Sequence, residues 1–177
     1  MAKKELLTGE QRENILELNQ LSEFEFASYY SLSDDDIDVI NHHRRDSNRL
    51  GFAIQLCLVR YPGCTLSNIK KVPQDLIQYV ADQINVDSDV FSSYATRNTT
   101  KREHLEEIRQ IYGYKNFDNY YSERIFKTLI QNAQENNNAL FLIQTAINLL
   151  RDDKIILPTI LTIEKLVSSA RNQAEVV

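Results

Sequence analysis

Helix-start signals recur along most of this 177-residue chain, and they constrain its fold more than any other feature. Thr8 with Gln11, Ser22 with Glu25 and Thr100 with Glu103 each have the spacing of a capping box. In that motif a hydroxyl and a Glu or Gln side chain close reciprocally on the first free N–H groups of a helix. Ser33 stands before Asp34, Asp35 and Asp36, acids that complement the positive end of a helix dipole. Asp46 and Asp118 are placed to cap two more helices, and Pro73 suits the first turn of another. Apolar residues follow at helical spacing, as in Leu50, Ala53, Ile54, Cys57 and Leu58, or Tyr121, Ile125, Leu129 and Ala133. Tyr61-Pro62-Gly63, Gly113 and the polar tract Gln134–Asn138 read as stops.

A short helix is expected near Asp89 to Tyr94, and a last one runs from Thr159 to about Asn172. Ala139–Leu150 is apolar nearly all round, so it is expected to be the most buried helix. No segment alternates with period two, and only 4 Gly and 3 Pro are present, which disfavours turn-rich β architectures. The expected fold class is all-α, a compact helical domain of about nine helices. The segment from Ser22 through Ser31-Leu32 into the helix from Asp34 has helix-turn-helix spacing, so helix-turn-helix-like subdomains fit as well. A soft boundary divides the chain into 1–96, a DNA-binding subdomain, and 97–177, a second helical subdomain packed against it, unless the two are continuous.

Several function classes drop out early. No apolar run is long enough to span a bilayer, and MAKKELLTGEQREN lacks the apolar centre of a secretory signal, so a cytoplasmic protein is expected. Cys57 and Cys64 lie in or beside an apolar segment and read as small buried hydrophobes of a reducing compartment. No glycine-rich phosphate loop, Gly-x-Ser-x-Gly, Cys-x-x-Cys or His-Glu-x-x-His is present. His42 and His43 are adjacent, about 100° apart on a helix, and His104 is distant, so no metal site, cofactor or catalytic centre is expected. Asp34-Asp35-Asp36, straight after a Ser cap, reads as a solvated first turn rather than a metal-dependent nuclease centre.

Charge is unevenly spread. The net charge of −5 argues mildly against a nucleic-acid partner, yet nine acids face only Arg12 between Thr8 and Asn41, and six bases face only Asp46 between His42 and Lys71. Arg44, Arg45, Asn48 and Arg49 sit where one helix ends and the next begins, so cations and free backbone N–H groups can meet a phosphate there. Asn48 and Arg49 are also placed to reach base edges. Alternatively Arg44 and Arg45 cap the preceding helix, and Arg49 or Arg60 pairs internally with carboxylates. The second basic segment is Arg97, Lys101, Arg102 and His104, with Lys101 and Arg102 expected in a first turn where cations oppose the dipole. A docked phosphate would relieve that local cost; pairing with Glu103, Glu106 or Glu107 is the plainer alternative. The 9 tyrosines, Tyr120-Tyr121 among them, are expected mostly in the core, with base stacking a lesser role.

At Arg45-Asp46-Ser47-Asn48-Arg49-Leu50-Gly51-Phe52-Ala53-Ile54-Gln55-Leu56-Cys57-Leu58-Val59-Arg60-Tyr61-Pro62-Gly63 the chain resembles the N-terminal domain of the Tn-three family of replicative transposases. Tyr30-Ser31-Leu32-Ser33, Tyr94, Arg97 and Thr100-Lys101-Arg102-Glu103-His104-Leu105 fit the same pattern. The resemblance implies a helical region that binds the terminal inverted repeats of a transposon, with strand transfer carried out by a separate, downstream catalytic domain. It implies as partners double-stranded DNA and other transposase protomers or that catalytic domain. From charge and helix position, Arg44, Arg45, Arg97 and Lys101 would hold phosphates, Asn48, Arg49 and Arg102 would read bases, and Arg60 and His104 complete the candidate set. Gly51 would permit close packing, with Phe52, Leu56 and Cys57 in the core. The competing reading is a helical assembly module with little DNA affinity of its own.

Overall fold

The computed structural model describes residues 6–16, 21–94 and 96–176. Among these there are nine α-helices and no strand: α1 (Gly9–Asn14), α2 (Glu23–Tyr30), α3 (Asp34–Asn41), α4 (Asp46–Arg60), α5 (Gln74–Ile84), α6 (Asn98–Tyr112), α7 (Asn119–Glu135), α8 (Ala139–Asp152) and α9 (Ile160–Glu175). Leu18, expected on the first helix, lies outside the described residues. Short 3-10 turns occupy Leu66–Asn68 and Ser88–Ser93. The capping boxes at Thr8 and Ser33 are closed in both directions, and Ser22 and Asp118 accept from Glu25 and Tyr121 backbone N–H groups. Gly113 ends α6 at φ +75°, a left-handed position that suits glycine.

Backbone contacts divide the chain into two compact units. The middle unit lies within Leu18–Tyr114; the terminal unit joins Met1–Glu17 to Lys115–Val177. The boundary between these units falls after Tyr114. α6 packs on α4 through His104 and Ile108, which ties it to what precedes it.

In the middle unit α4 is the axis. α2, α3, α5, α6 and the Ser88–Ser93 turn all pack on it, and every residue from Leu50 to Val59 is buried. The expectation that Ala139–Leu150 is the most buried helix is corrected here. α8 packs chiefly on α7 and α9, so it buries the stripe Leu142, Ile143, Ala146, Ile147 and Leu150 and leaves Phe141 42% exposed. Apolar composition sets what a helix can bury; the number of surrounding helices sets what it does bury.

The terminal unit is built on α7, α8 and α9. Ile125, Leu129 and Ala133 of α7 and Ile163, Val167 and Ala170 of α9 supply its apolar core with the α8 stripe. A short parallel bridge pairs Lys115 with Ile155, through Lys115 N to Lys154 O and Ile156 N to Lys115 O, both 2.9 Å. α1 joins this unit across 152 residues of sequence: Arg12 Nη2 donates to Glu164 Oε1 at 2.7 Å, and Glu164 is buried.

Candidate nucleic-acid interface

The two basic segments meet inside the middle unit. His43, next to Arg44, packs its ring 4.6 Å from that of His104, and both rings contact Phe52 of α4. Nε2 of His43 lies 3.2 Å from Glu107 Oε2. The α3–α4 junction and the first two turns of α6 are thus neighbours on one body.

Arg45 and Arg97 occupy the N-cap positions of α4 and α6, and neither helix has a side-chain cap. α1, α2, α3, α7, α8 and α9 all do. Asp46 is not the cap of α4 but its first residue, and it accepts from Arg49 Nη1 at 3.3 Å. Arg49 Nε also donates to His43 O at 2.8 Å, which closes the junction. Arg49 therefore splits its guanidinium between holding the loop and facing out. Arg44 and Arg45 are exposed, and Asn48 is half-buried on the first turn.

The Thr100 capping box does not form. α6 starts one turn earlier, at Asn98, so Lys101 and Arg102 stand in the second turn and the supposed conflict with the helix dipole disappears. Its first turn contains no acid. Arg97 and Arg102 are exposed, and Lys101 is half-buried.

Two of the expected contact residues point inward. His104 is 6% exposed, and its Nδ1 is hydrogen-bonded to the Tyr94 hydroxyl at 2.7 Å. Burial, and then the nearby His43, push its pKa down to about 4, so it is neutral at physiological pH. Arg60 makes a two-pronged pair with Asp36, at 2.7 and 2.9 Å, and lies over the Tyr112 ring. It also lies about 18 Å along the helix axis from Asn48. Asp36 is correspondingly no solvated first-turn acid. It is 3% exposed and accepts from Arg60, Tyr112 Oη and the Ser33 backbone N–H. Burial alone would raise its pKa, but these donors more than offset that and hold it at about 2. Asp34 and Asp35 are exposed.

The acidic outer face of α3 cannot lie against phosphate, and α4 is buried beyond its first turn. Any groove contact from this pair must therefore come from the α3–α4 junction itself.

A polar clamp that sequence reading missed sets the spacing of the segments. Gln55, buried in mid-helix, donates through Nε2 to Tyr94 Oη at 2.7 Å and to Lys101 O at 3.2 Å. Tyr94 lies flat against Gly51, where an added Cβ would overlap its ring. Gly51 thus admits a tyrosine from the Ser88–Ser93 turn rather than another helix. The one signal in the sequence was a Gly and a Gln among otherwise apolar residues of a helix. Among the described residues no three His, Cys, Asp or Glu side chains group to hold a metal, and no helix is long and apolar enough to cross a membrane.

Residues 6–170 match the family model described as Domain of unknown function (DUF4158). Over 172 residues the chain is 41% identical to the transposase for transposon Tn1546 of Enterococcus faecium, covering 97% of this chain and 17% of that protein. It is 34% identical over 170 residues to the transposase for transposon Tn501 of Pseudomonas aeruginosa, covering 96% and 17%. It is 31% identical over 175 residues to the transposase for transposon Tn21 of Escherichia coli, covering 98% and 18%. The chain therefore spans about a sixth of the length of these relatives.

Proposed function

The chain belongs to the Tn-three transposase family, matching the N-terminal region of its members, and on that premise we propose that it is a DNA-binding domain that recognises the terminal inverted repeats of a transposon during DNA transposition. The observation that carries the reading is the meeting of two helix starts, each with an arginine at its N-cap and no side-chain cap, through the His43–His104 contact. Free backbone N–H groups beside exposed cations are the chemistry that holds phosphate.

Arg44, Arg45, Arg97 and Lys101 are the phosphate ligands in this reading; Asn48, Arg102 and the free edge of Arg49 reach bases. Arg60 and His104 shape the body without touching DNA. In this reading its protein partners are other transposase protomers or a downstream catalytic domain that carries out strand transfer.

The test is fluorescence anisotropy of a duplex carrying the terminal repeat against a scrambled duplex, over a salt series. Specific binding should weaken with salt at a slope of about −0.9 per phosphate contacted. Lys101→Ala with Arg102→Ala should lower the affinity, reduce that slope by about one for the lost phosphate contact, and relax the preference for the repeat over the scrambled duplex. Equal weak binding to both duplexes, together with concentration-dependent dimerisation, would replace this reading with that of an assembly module.

A further inference from the structure

The terminal unit carries a second surface with nucleic-acid chemistry, independent of the basic helix starts. On α7 the residues Tyr120, Arg124, Lys127 and Gln131 recur at i, i+4, i+7 and i+11, and all four are exposed. At about 100° per residue they form one stripe, centred opposite the buried stripe Ile125, Leu129 and Ala133. Between Tyr120 and Gln131 it carries no acid; Glu123 flanks it, and Glu135 follows Gln131 at the end of the helix. Tyr120 is 61% exposed, an unusual place for so large an apolar ring, and the Arg124 guanidinium lies 5.8 Å from its centroid. Tyr121 meets Tyr120 edge to face at 5.1 Å, and the Lys115 ammonium lies 5.8 Å over the Tyr121 ring. Lys115 is exposed and held in place by its main-chain bridge to Ile155. Among the described residues neither Lys115 nor Arg124 forms an ion pair with a carboxylate.

We propose that this Lys115–Tyr120–Tyr121–Arg124–Lys127 surface binds single-stranded DNA, with an unpaired base stacked on Tyr120 and phosphates on the flanking cations. Two features select an unpaired strand over a duplex. Tyr120 presents an exposed ring at the head of the row, and each ring lies beside a cation, as in sequence-tolerant strand binding. Cation distances near the 6 Å limit leave the rings available to a better stacking partner.

The experiment uses the whole chain and fluorescein-labelled oligodeoxythymidine of about 12 nucleotides, within the usual site size of one module. Tyr120→Ala should weaken binding at least fivefold, the lower end for one stacked base. Tyr120→Phe should restore it, because stacking needs the ring and not the hydroxyl. The chain contains 0 Trp, so Tyr120→Trp provides a single indole whose emission should be quenched by the oligonucleotide. Equal affinity for wild type and Tyr120→Ala, no quenching at saturation, or absence of binding would overturn the proposal. So would a Tyr120→Ala defect confined to duplex. Lys101→Ala with Arg102→Ala, assayed on the same oligonucleotide, should bind as wild type. The two readings therefore fail separately.

Discussion

The two units solve the same problem, a helical core, by opposite means. The terminal unit buries one stripe on each of α7, α8 and α9 and leaves the other faces to solvent. The middle unit submerges most of one helix. Burial of α4 from Leu50 to Val59 leaves no solvent-facing side there on which to place polar or bulky residues, so every exception must be accommodated inside: Gln55 by Tyr94 and Lys101, Gly51 by the Tyr94 ring, and Arg60 at its end by Asp36. A stripe-packed unit is specified mostly by apolar volume. A submerged helix is specified by a small set of polar fits, so it should be the more sensitive of the two to single changes and to acid.

The sharpest way to break that contrast is Arg60→Met. It leaves the buried Asp36 carboxylate without its main cation and should cost about 3 kcal/mol, the lower end for a broken buried pair, because the Arg60 side chain is 24% exposed. Urea unfolding followed by circular dichroism measures it; a loss below about 1 kcal/mol would mean that the pair is not what specifies the middle unit.

Gly51→Ala comes next. Inside an ordinary helix this change gains up to about 1 kcal/mol, but here the new methyl meets Tyr94, and we expect a loss of about 2 kcal/mol. Combining it with Tyr94→Ala should give a total smaller than the sum of the two single losses. Strict additivity would show that Tyr94 is not the obstruction.

The acid response follows from His104. Its pKa is lower in the folded protein, about 4, than the ordinary 6.5. Below pH 6.5 the unfolded chain takes up a proton that the folded one refuses. Stability present above pH 6.5 should thus fall as pH drops toward 4, by an amount on the order of 2 kcal/mol. His104→Gln should flatten the curve over that window, and an unchanged slope would remove His104 as its cause. Asp36 adds a second loss only as pH falls from its ordinary value of 3.8 towards 2.

Smallest of all should be Lys101→Ala with Arg102→Ala, within about 0.5 kcal/mol of wild type in stability. A large loss there would place these side chains in the fold rather than on the proposed interface.

What could be read from the sequence was what is local. Capping side-chain oxygens act on N–H groups two or three residues away, so Thr8, Ser22, Ser33 and Asp118 could be assigned without the fold. The start of α6 misled because Thr100 and Glu103 have the right spacing in the wrong turn. There the distant Gln55, bonded to Lys101 O, and the Tyr94–His104 contact hold the segment instead. Asp36 and Arg60 are 24 residues apart and Tyr112 is 76 residues from Asp36, distances over which no periodicity speaks. The basic segments could be found by charge, but their meeting depends on His43 and His104, whose chemistry suggested surface and whose packing is interior.

The Arg12–Glu164 pair has a consequence for how the molecule is made. Because α1 belongs with helices that follow Lys115, the middle unit is an insertion within the terminal one. A ribosome delivers α1 before the middle unit and its partner α9 after it, so α1 waits without its binding site while α2 to α6 are synthesised. The middle unit has all of its own residues by Tyr114 and can fold during that wait. The order of synthesis thereby makes the body that carries the proposed interface available before the unit that encloses it in sequence is closed.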